Sequence, residues 1–291
     1  MIAELPLVGA GGEPVDFRRT LGSHGVAALP PSRIDEEAWT LEVTLPSGRG
    51  ARTVRVSEGR RGFARVEGAT SSILAQLRHM FRLDEDLAPF YALARDDPRL
   101  AWAAAGAGRM LRGPTVFEDV VKTICTTNTA WGGTVRMVTA LVEHLGVAAP
   151  GGGRTFPKPA AMAAAGEDFY RDVARAGYRG PYLHALAEDV ASGVLDLEQL
   201  NDPELSVEEV EARLLALPGV GPYAAAHVML TSLGRYSYLV LDSWTRPTYA
   251  KLVGRKASDK TIARTFRRYG DFAGLAFWLL LTRSWVPDEA P

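Results

Sequence analysis

Residues 206–251 contain two features whose residue types could do chemistry: a glycine- and proline-rich turn and an aspartate. The turn reads LPGVGP, from Leu217 to Pro222, and it separates two segments with helical spacing of apolar residues. Glycine permits positive φ and proline fixes φ, so the composition predicts a tight turn between two short helices. The second helix would begin directly after the turn with its first amides unbonded, an arrangement that suits a phosphate group.

Asp242 is the acidic residue of this stretch with a position suited to catalysis. It follows the apolar run Tyr238 to Leu241, so we expect it to emerge from a buried segment just before a helix. Ser243 would be the N-cap of that helix, and Pro247 would be its fourth residue, where a missing N–H does little harm. The alternative is that Asp242 itself only caps the helix, which is the commoner role of the aspartate in an Asp-Ser pair.

The two helices that hold the turn are predicted from apolar spacing. Ser206 and Glu209 form the S-x-x-E pattern of a capping box at the start of the first helix. The predicted apolar face of the first helix consists of Val207, Val210, Leu214 and Leu215. The predicted apolar face of the second helix consists of Tyr223, Ala226, Leu230 and Leu233.

The first 70 residues predict an antiparallel sheet. Residues 39–45 alternate apolar and polar side chains, a turn at residues 46–48 leads into a second strand, and residues 62–67 form a further strand. From Ser71 onward the apolar period is helical, and Thr115 with Glu118 predicts a second capping box. Outside the hairpin, helices are predicted over residues 71–81, 87–94, 115–125, 135–145, 160–164, 168–176, 182–192, 258–269 and 272–283.

Composition narrows the classes of function. The chain has 291 residues, of which 47% are hydrophobic, so it can bury a substantial core. It has no apolar run of about 18 residues and no basic, apolar leader, so we expect a cytoplasmic, nucleoid-associated protein without a membrane segment. The single Cys125 excludes an internal disulfide and a four-cysteine iron–sulfur cluster, and the histidines lack metal-ligand spacing. We therefore expect neither a catalytic metal nor an iron–sulfur cluster.

The net charge of −1 says little about partners, but arginines are clustered at residues 60–65 and 264–268. Each cluster is consistent with a local contact to a phosphate backbone or with an ordinary solvated face.

Residues 217–221 with Asp242 resemble the motif of the HhH-GPD superfamily of DNA glycosylases, which is L-P-G-[VI]-G, then a helix, then an aspartate. The likeness extends over most of the chain. The segments 109–128 and 176–182 are similar to the entry helix and the G-Y-R-x-x-Y turn of 8-oxoguanine glycosylases. Residues 272–290 are similar to the C-terminus of 3-methyladenine DNA glycosylase II.

The resemblance implies an α+β, predominantly α-helical fold with two helical lobes and an N-terminal antiparallel sheet. The sheet domain would comprise residues 1–70 and the helical glycosylase domain residues 71–291. One lobe would cover about residues 115–217, and the other would combine 71–114 with 218–291. The resemblance also implies a DNA cleft between the lobes, near Tyr223 and Asp242.

The resemblance implies a role for each part of the hairpin. Asp242 would stabilise the oxocarbenium-like transition state of N-glycosidic cleavage and orient the attacking water. Amides of Gly219, Val220, Gly221 and Tyr223 would bind the DNA backbone. The main-chain carbonyls of Leu215, Leu217 and Val220 would hold a structural Na⁺ or K⁺.

Tyr223 stands where bifunctional members of the superfamily place their Schiff-base lysine, and members specialised for alkylated bases have an aromatic residue there. A tyrosine cannot form that adduct, so the likeness implies a monofunctional enzyme that uses water. A cationic alkylated base would stack on aromatic rings. The candidates are Tyr223, Trp244, Phe277 and Trp278, although Phe277 and Trp278 also fit an apolar core helix.

Asn128 aligns with the asparagine that contacts the orphaned base in 8-oxoguanine glycosylases; a helix C-cap is the alternative. The basic residue and the base-reading glutamine of those enzymes align with Gly133 and with the region of Phe277, which argues against 8-oxoguanine. We therefore expect a monomeric, monofunctional glycosylase that removes alkylated purines from duplex DNA. The alternatives are a glycosylase for oxidised purines or deaminated bases, and a DNA-binding protein of the same fold that has lost catalysis.

Overall fold

A five-stranded antiparallel sheet opens the chain, as predicted, in a computed structural model that describes residues 1–287. Its strand order is β1-β5-β4-β3-β2. Residues 288–291, which include the end of the C-terminal resemblance, lie outside the described part. The strands are β1 (Ile2–Pro6), β2 (Ser32–Asp35), β3 (Thr40–Ser47), β4 (Gly50–Glu58) and β5 (Phe63–Glu67).

Strand β3 departs from the predicted alternation, because both of its faces are covered. Thr44 is buried although it lies on the predicted polar face. Its hydroxyl is 2.8 Å from that of Thr53, which donates to the carbonyl of Gly152 in a loop of the helical part. Trp39 lies outside the strand, with a φ of 46°. A contact distant in sequence therefore covers the face that the pattern assigned to solvent.

The rest of the described chain is helical, and none of its helices is both long and apolar enough to cross a membrane. The α-helices are α1 (Phe17–Leu21), α2 (Ser71–Met80), α3 (Ala88–Arg95), α4 (Val116–Thr126), α5 (Trp131–Leu145), α6 (Pro159–Ala163), α7 (Gly166–Asp168), α8 (Arg179–Ser192), α9 (Val207–Leu215), α10 (Pro222–Thr231), α11 (Thr245–Val253), α12 (Asp259–Phe266) and α13 (Ala273–Thr282). A π-helical turn (Phe169–Val173) follows α7. Short 3₁₀ segments lie at Gly25–Ala28, Ala101–Ala105, Leu197–Asn201, Arg267–Phe272 and Arg283–Trp285.

The two predicted capping boxes have different outcomes. At α9 the box is complete: Glu209 donates its amide to Ser206 Oγ at 3.2 Å, and its carboxylate accepts the Ser206 amide at 3.0 Å. At α4 the prediction was half wrong. Thr115 Oγ1 accepts the amide of Glu118, but the Glu118 carboxylate pairs with Lys122 at 2.6 Å inside the protein. Helix α4 is buried on all sides, so this carboxylate needs a buried partner more than an exposed cap.

The sheet core includes helix α2, which corrects the predicted boundary at residue 70. Ile73, Leu77 and Met80 of α2 pack with the inner faces of the strands. The sheet has one apolar face that must be covered, and α2 is the amphipathic helix that covers it. The segment 71–80 therefore packs with the N-terminal unit instead of the second helical lobe.

Two further cores correspond to two helical lobes, and α10 lies between them. One core includes α4, α5, α8 and α9; the other includes α3, α12 and α13. Ala225 and Met229 of α10 pack into the first core, whereas Ala226 and Leu230 pack into the second. Residues 224–231 are consequently all buried, so α10 has no solvent-facing stripe apart from its first turn.

A buried network of charged groups joins the N-terminal segment to both lobes. Arg109 pairs with Glu13 at 2.5 Å, with 0% and 4% of the two side chains exposed. Arg109 also donates to the carbonyl of Arg82, and Arg82 donates to the carbonyl of Thr231 at 2.7 Å, at the end of α10. The network thus reaches from the start of the chain to the helix that follows the hairpin turn.

Candidate active site

Helices α9 and α10 form the predicted hairpin, with the turn at residues 216–221. Gly219 has a φ of 79°, and a Cβ there would lie 2.9 Å from Tyr182 of α8. Both the backbone conformation and the lack of space therefore favour glycine at this position. Val210 and Leu214 of α9 are fully buried, but Leu215 is 41% exposed. The prediction that Leu215 belongs to the apolar stripe was wrong, because the helix ends there and its last side chain lies on the outside.

The turn has unbonded amides at its surface. Within residues 1–287, the amides of Gly219, Gly221 and Tyr223 donate no hydrogen bond. The amide of Val220 donates to the Leu217 carbonyl at 3.2 Å and is therefore used inside the turn. A Cβ at Gly221 would meet nothing within 4 Å, so the space outside this amide is open. Three of the four predicted amides are thus available to an anion.

Asp242 caps helix α11 with one carboxylate oxygen. Its Oδ1 accepts the amides of Trp244 at 2.8 Å and Thr245 at 2.6 Å, and its own amide donates to Thr245 Oγ1 at 2.8 Å. The prediction that Ser243 is the N-cap was wrong, and Pro247 is the third helical residue instead of the fourth. No residue in the described part donates to the other oxygen, Oδ2. The capping bonds therefore occupy one oxygen of this half-buried carboxylate and leave the other available.

The segment that carries Asp242 is held against the start of α13. The amides of Gly274 and Leu275 both donate to the carbonyl of Tyr236, at 2.7 and 3.1 Å. A Cβ at Gly274 would lie 2.0 Å from the carbonyl oxygen of Tyr238. Only glycine lets the helix approach this closely, so Gly274 sets the distance between α13 and the segment leading to Asp242.

We expect Gly274→Ala to displace this segment. The methyl group would overlap a backbone atom, which costs about 1–3 kcal/mol in a packed interior. A shift of Asp242 by as little as ~1 Å lowers the rate of a positioned reaction on the order of 10²-fold. Chemical denaturation and single-turnover assays measure the two effects. Gly132→Ala is the matched control, because a Cβ at this helical glycine meets nothing within 4 Å; equal behaviour of the two variants would contradict the role of Gly274.

Trp244, whose amide donates to Asp242, belongs to a cluster of three tryptophan rings. Trp244 lies 5.8 Å from Trp278 and 5.3 Å from Trp285, measured between ring centroids. Trp278 Nε1 donates to the Ser23 carbonyl at 2.8 Å, which orients its ring. Trp285 was missed by the sequence analysis. It lies seven residues after Trp278, about two helical turns, and that spacing would have indicated a shared face.

Similarity to known proteins extends over most of the chain. No model of a protein family matches it. Over 208 residues it is 31% identical to an N-glycosylase/DNA lyase of Arabidopsis thaliana, a match that covers 64% of this chain and 55% of that protein. The chain thus spans little more than half the length of this relative.

Two solved structures share the architecture over nearly the full length. An 8-oxoguanine glycosylase/lyase of Clostridium acetobutylicum in complex with double-stranded DNA covers 98% of both chains at a TM-score of 0.74 and 21% identity. A 3-methyladenine DNA glycosylase of Archaeoglobus fulgidus covers 97% of this chain and 98% of its own, at 0.74 and 20%. The chain has the HhH-GPD glycosylase fold. At these identities, the shared fold does not distinguish between similarity to 8-oxoguanine glycosylases and similarity to 3-methyladenine glycosylases.

Tyr223 lies where the two lobes of the HhH-GPD fold meet. Its ring packs against both helical cores, and its hydroxyl is 3.3 Å from Thr126 Oγ1 at the end of α4. Burial and the charge of Asp242 raise the pKa of Tyr223, although the contact with Thr126 opposes the shift. The hydroxyl is therefore neutral at physiological pH.

Phe277 does not join Tyr223 and the tryptophans, which corrects the predicted pocket. It is 0% exposed, and its ring packs 5.2 Å from Phe266 and 5.8 Å from Tyr249. Adjacent residues of a helix point about 100° apart, so α13 directs Trp278 toward Trp244 and Trp285 and Phe277 into the second core. Phe277 thus has the core role that the sequence left as an alternative. Trp278 is 5% exposed and belongs both to the second core and to the cluster with Trp244 and Trp285.

Helix α4 ends at its C-cap Thr127, whose backbone is extended, and Asn128 follows with a φ of 43°. Its exposed side chain donates to the hydroxyl of Tyr178 at 3.1 Å. The guanidinium of Arg179 lies 4.5 Å from the Tyr178 ring and binds Thr127. The C-cap role that the sequence left as an alternative for Asn128 belongs to Thr127, and the Asn128 side chain is held at the surface by Tyr178.

The arginine clusters are partly neutralised. Arg60 pairs with Glu4 at 3.0 Å, Arg65 lies 3.4 Å from Glu67, and Arg268 binds Asp97. Exposed pairs of this kind contribute little to stability and reduce the local positive charge. The unbonded amides of the turn are therefore a stronger indication of a phosphate site than either cluster.

Two buried histidines lie beneath the rings and predict a pH-dependent stability. Burial lowers the pKa of His24 to about 3 and that of His227 to about 4, from 6.5. Both are neutral in the folded and unfolded states at pH 7. Below pH 6.5 only the unfolded state takes up the protons, so stability is lost as the pH falls from 6.5 toward 4. At pH 5 we expect a loss of about 2 kcal/mol per histidine.

Urea denaturation at pH 7 and pH 5 measures this loss. His79, whose pKa burial lowers to about 4, contributes in the same direction. His227→Phe should lack the part of the pH-dependent stability loss that comes from His227, so its free energy of unfolding should change less between pH 7 and pH 5 than that of the unmodified protein. Identical free energies of unfolding at the two pH values would contradict the assignment.

Proposed function

We propose that this protein is a DNA glycosylase of base excision repair, which hydrolyses the N-glycosidic bond of a damaged base in duplex DNA. One observation carries the proposal: Asp242, downstream of a hairpin with open amides, has a carboxylate oxygen to which no residue in the described part donates. Non-catalytic hairpin proteins need the amides but not the carboxylate.

The hairpin would bind the DNA backbone. The amides of Gly219, Gly221 and Tyr223 converge at the start of α10, where the helix dipole also favours an anion. The carbonyls of Leu215 and Val220 accept no hydrogen bond from the described residues, and that of Leu217 has a second lone pair. Neutral carbonyl oxygens suit Na⁺ or K⁺, so these three residues would hold a structural cation that supports the turn.

Asp242 would act at the sugar. When the bond between C1′ and the base nitrogen breaks, the electron pair leaves with the base and positive charge develops on the sugar. The Asp242 carboxylate would stabilise that charge and accept a proton from the water that attacks C1′. The products are a free base and an abasic sugar. Two amide donors on Oδ1 keep the group oriented while Oδ2 faces the reaction.

We propose a monofunctional enzyme. The hairpin contains no lysine, and Tyr223 offers a neutral hydroxyl where an amine nucleophile would be needed. Base release should therefore leave an abasic site with an intact strand. Covalent trapping of the protein on DNA by borohydride would contradict this part of the proposal.

Alkylated purines are the substrates that this arrangement supports best. The rings of Trp244, Trp278 and Trp285 contact one another beside Asp242, and a cationic base gains energy from such surfaces. The second candidate, an oxidised purine, rests on the names of the relatives from Arabidopsis and Clostridium. The region of Phe277 aligns with the base-reading glutamine of 8-oxoguanine glycosylases, but Phe277 is packed in the core and does not support this candidate.

A panel of duplexes tests the proposal. Each would carry one of 7-methylguanine, 3-methyladenine, ethenoadenine, hypoxanthine, uracil or 8-oxoguanine, and the released base would be quantified. We expect release of alkylated purines from a monomeric enzyme. Selective release of 8-oxoguanine would replace the substrate class, and DNA binding without release of any base would favour the inactive binding protein. The cytoplasmic, nucleoid-associated location stays a prediction.

A further inference from the structure

His227 lies among the groups of the proposed active site but has no role in the mechanism above. It follows Tyr223 by one turn of α10, with the two ring centroids 5.9 Å apart. Its ring also contacts Trp278 at 6.4 Å, and the charge of Asp242 acts on it. Only 5% of the residue is exposed, which places it at the floor of the aromatic cluster.

The hydrogen bonds of His227 determine its tautomer. Thr231 Oγ1 lies 2.8 Å from the His227 carbonyl and donates its single proton there. The same oxygen is 3.3 Å from His227 Nδ1, and it can only accept in that contact because its proton is already used. With the hydroxyl proton on the carbonyl, Nδ1 carries the N–H in this arrangement. The other nitrogen, Nε2, is left with a lone pair.

Neighbouring groups leave this lone pair unsatisfied. No residue in positions 1–287 bonds to Nε2, and this atom is not fully enclosed by its neighbours. His24 packs edge-on at 5.8 Å but cannot donate to it, since the His24 Nε2–H is directed to the Leu111 carbonyl at 2.7 Å. Burial keeps His227 neutral at physiological pH.

We propose that His227 is a specificity residue whose Nε2 accepts a hydrogen bond from an N–H of the extruded base. This inference rests on the proposed glycosylase function and names the base edge that the pocket selects. Stacking rings alone accept any flat base, whereas a buried acceptor disfavours a base that leaves it unpaired. Purines with an amino or ring N–H at this edge are favoured, and ethenoadenine, whose base has no N–H, is the natural counter-substrate.

Three variants separate hydrogen bonding from packing. His227→Phe keeps a ring of similar size without the acceptor, and His227→Gln restores an amide oxygen near the position of Nε2. Thr231→Val removes the hydroxyl that holds the proton on Nδ1, so Thr231 acts here as a positioning residue. Single-turnover release of 7-methylguanine and ethenoadenine is compared for each variant.

We expect His227→Phe to lower 7-methylguanine release on the order of 10-fold or more, with little change for ethenoadenine. His227→Gln should recover part of the preference, and Thr231→Val should weaken it. An equal loss for both bases in His227→Phe would indicate a packing role and overturn the proposal. An unchanged ratio of the two rates would overturn it as well.

Free-base binding separates this inference from the proposed function. Quenching of tryptophan fluorescence by free 7-methylguanine reports base binding without catalysis. If the unmodified protein releases no base from DNA but binds free 7-methylguanine more tightly than His227→Phe does, only the proposed function fails. If it releases both bases and His227→Phe discriminates as the unmodified protein does, only the inference about His227 fails.

Discussion

Asp242→Asn is expected to lower the rate of base release by at least about 10³-fold while DNA affinity stays similar or increases. The amide oxygen of asparagine can still accept the amides of Trp244 and Thr245, so the cap of α11 is preserved. What disappears is the negative charge and the ability to take a proton from water, which together account for an effect of this size. Single-turnover release and gel-shift titration on one lesion duplex measure the two quantities.

Thr245→Val is the matched control for Asp242→Asn. It removes the hydroxyl that accepts the Asp242 amide but leaves the carboxylate and its charge in place. Loss of one buried hydrogen bond costs about 1–3 kcal/mol of stability, and we expect only a small effect on release. If Asp242→Asn is as active as the unmodified protein, the aspartate has only the capping role, and the proposed mechanism is wrong.

Arg109→Met is expected to lower the free energy of unfolding by about 3–5 kcal/mol, because it leaves the charge of Glu13 buried without its partner. Both side chains are almost fully enclosed, and Glu13 also accepts the Leu87 amide at 2.7 Å. The carboxylate can therefore not turn to solvent without breaking a second contact. Urea or thermal denaturation at pH 7 measures the loss.

The double variant Glu13→Gln, Arg109→Met tests the origin of this effect. It removes both charges and keeps an acceptor for the Leu87 amide, so we expect it to recover a large part of the lost stability. If the double variant is no more stable than Arg109→Met alone, the cost arises from lost packing of the arginine stem, and the ion pair is not the cause.

The local pattern was sufficient to predict the hairpin. Gly219 and Gly221 allow the turn, Pro222 starts α10, and the Ser206–Glu209 box marks the start of α9. These features depend on backbone conformation and on contacts within a few residues, which the sequence contains in full. The antiparallel pairing of β3 and β4 was also predicted, but the turn was placed at residues 46–48, whereas Pro46 and Ser47 still pair within the sheet and the turn lies at residues 48–49.

The pattern was insufficient where an element is covered from both sides. The sequence pattern assigned one apolar face to helix α10. The helix packs into two cores at once, so its alanines are buried as well as its leucines. Thr44 and Glu118 were assigned to solvent and to a cap, yet both are buried by segments distant in sequence. An amphipathic period indicates one buried face of a helix or strand. When a second face is also buried, the apolar and polar residues no longer alternate with a regular period.

By itself the sequence determined the hairpin and the position of Asp242 at the start of a helix, whereas the segment before it is only partly buried. Only the tertiary structure decided that Phe277 is a core residue, that Trp285 joins Trp244 and Trp278, and that His227 presents a lone pair beneath them. The reason is physical. A turn or a cap is fixed by neighbours along the chain, whereas a pocket is formed by side chains from α10, α11 and α13, whose directions depend on how those helices pack.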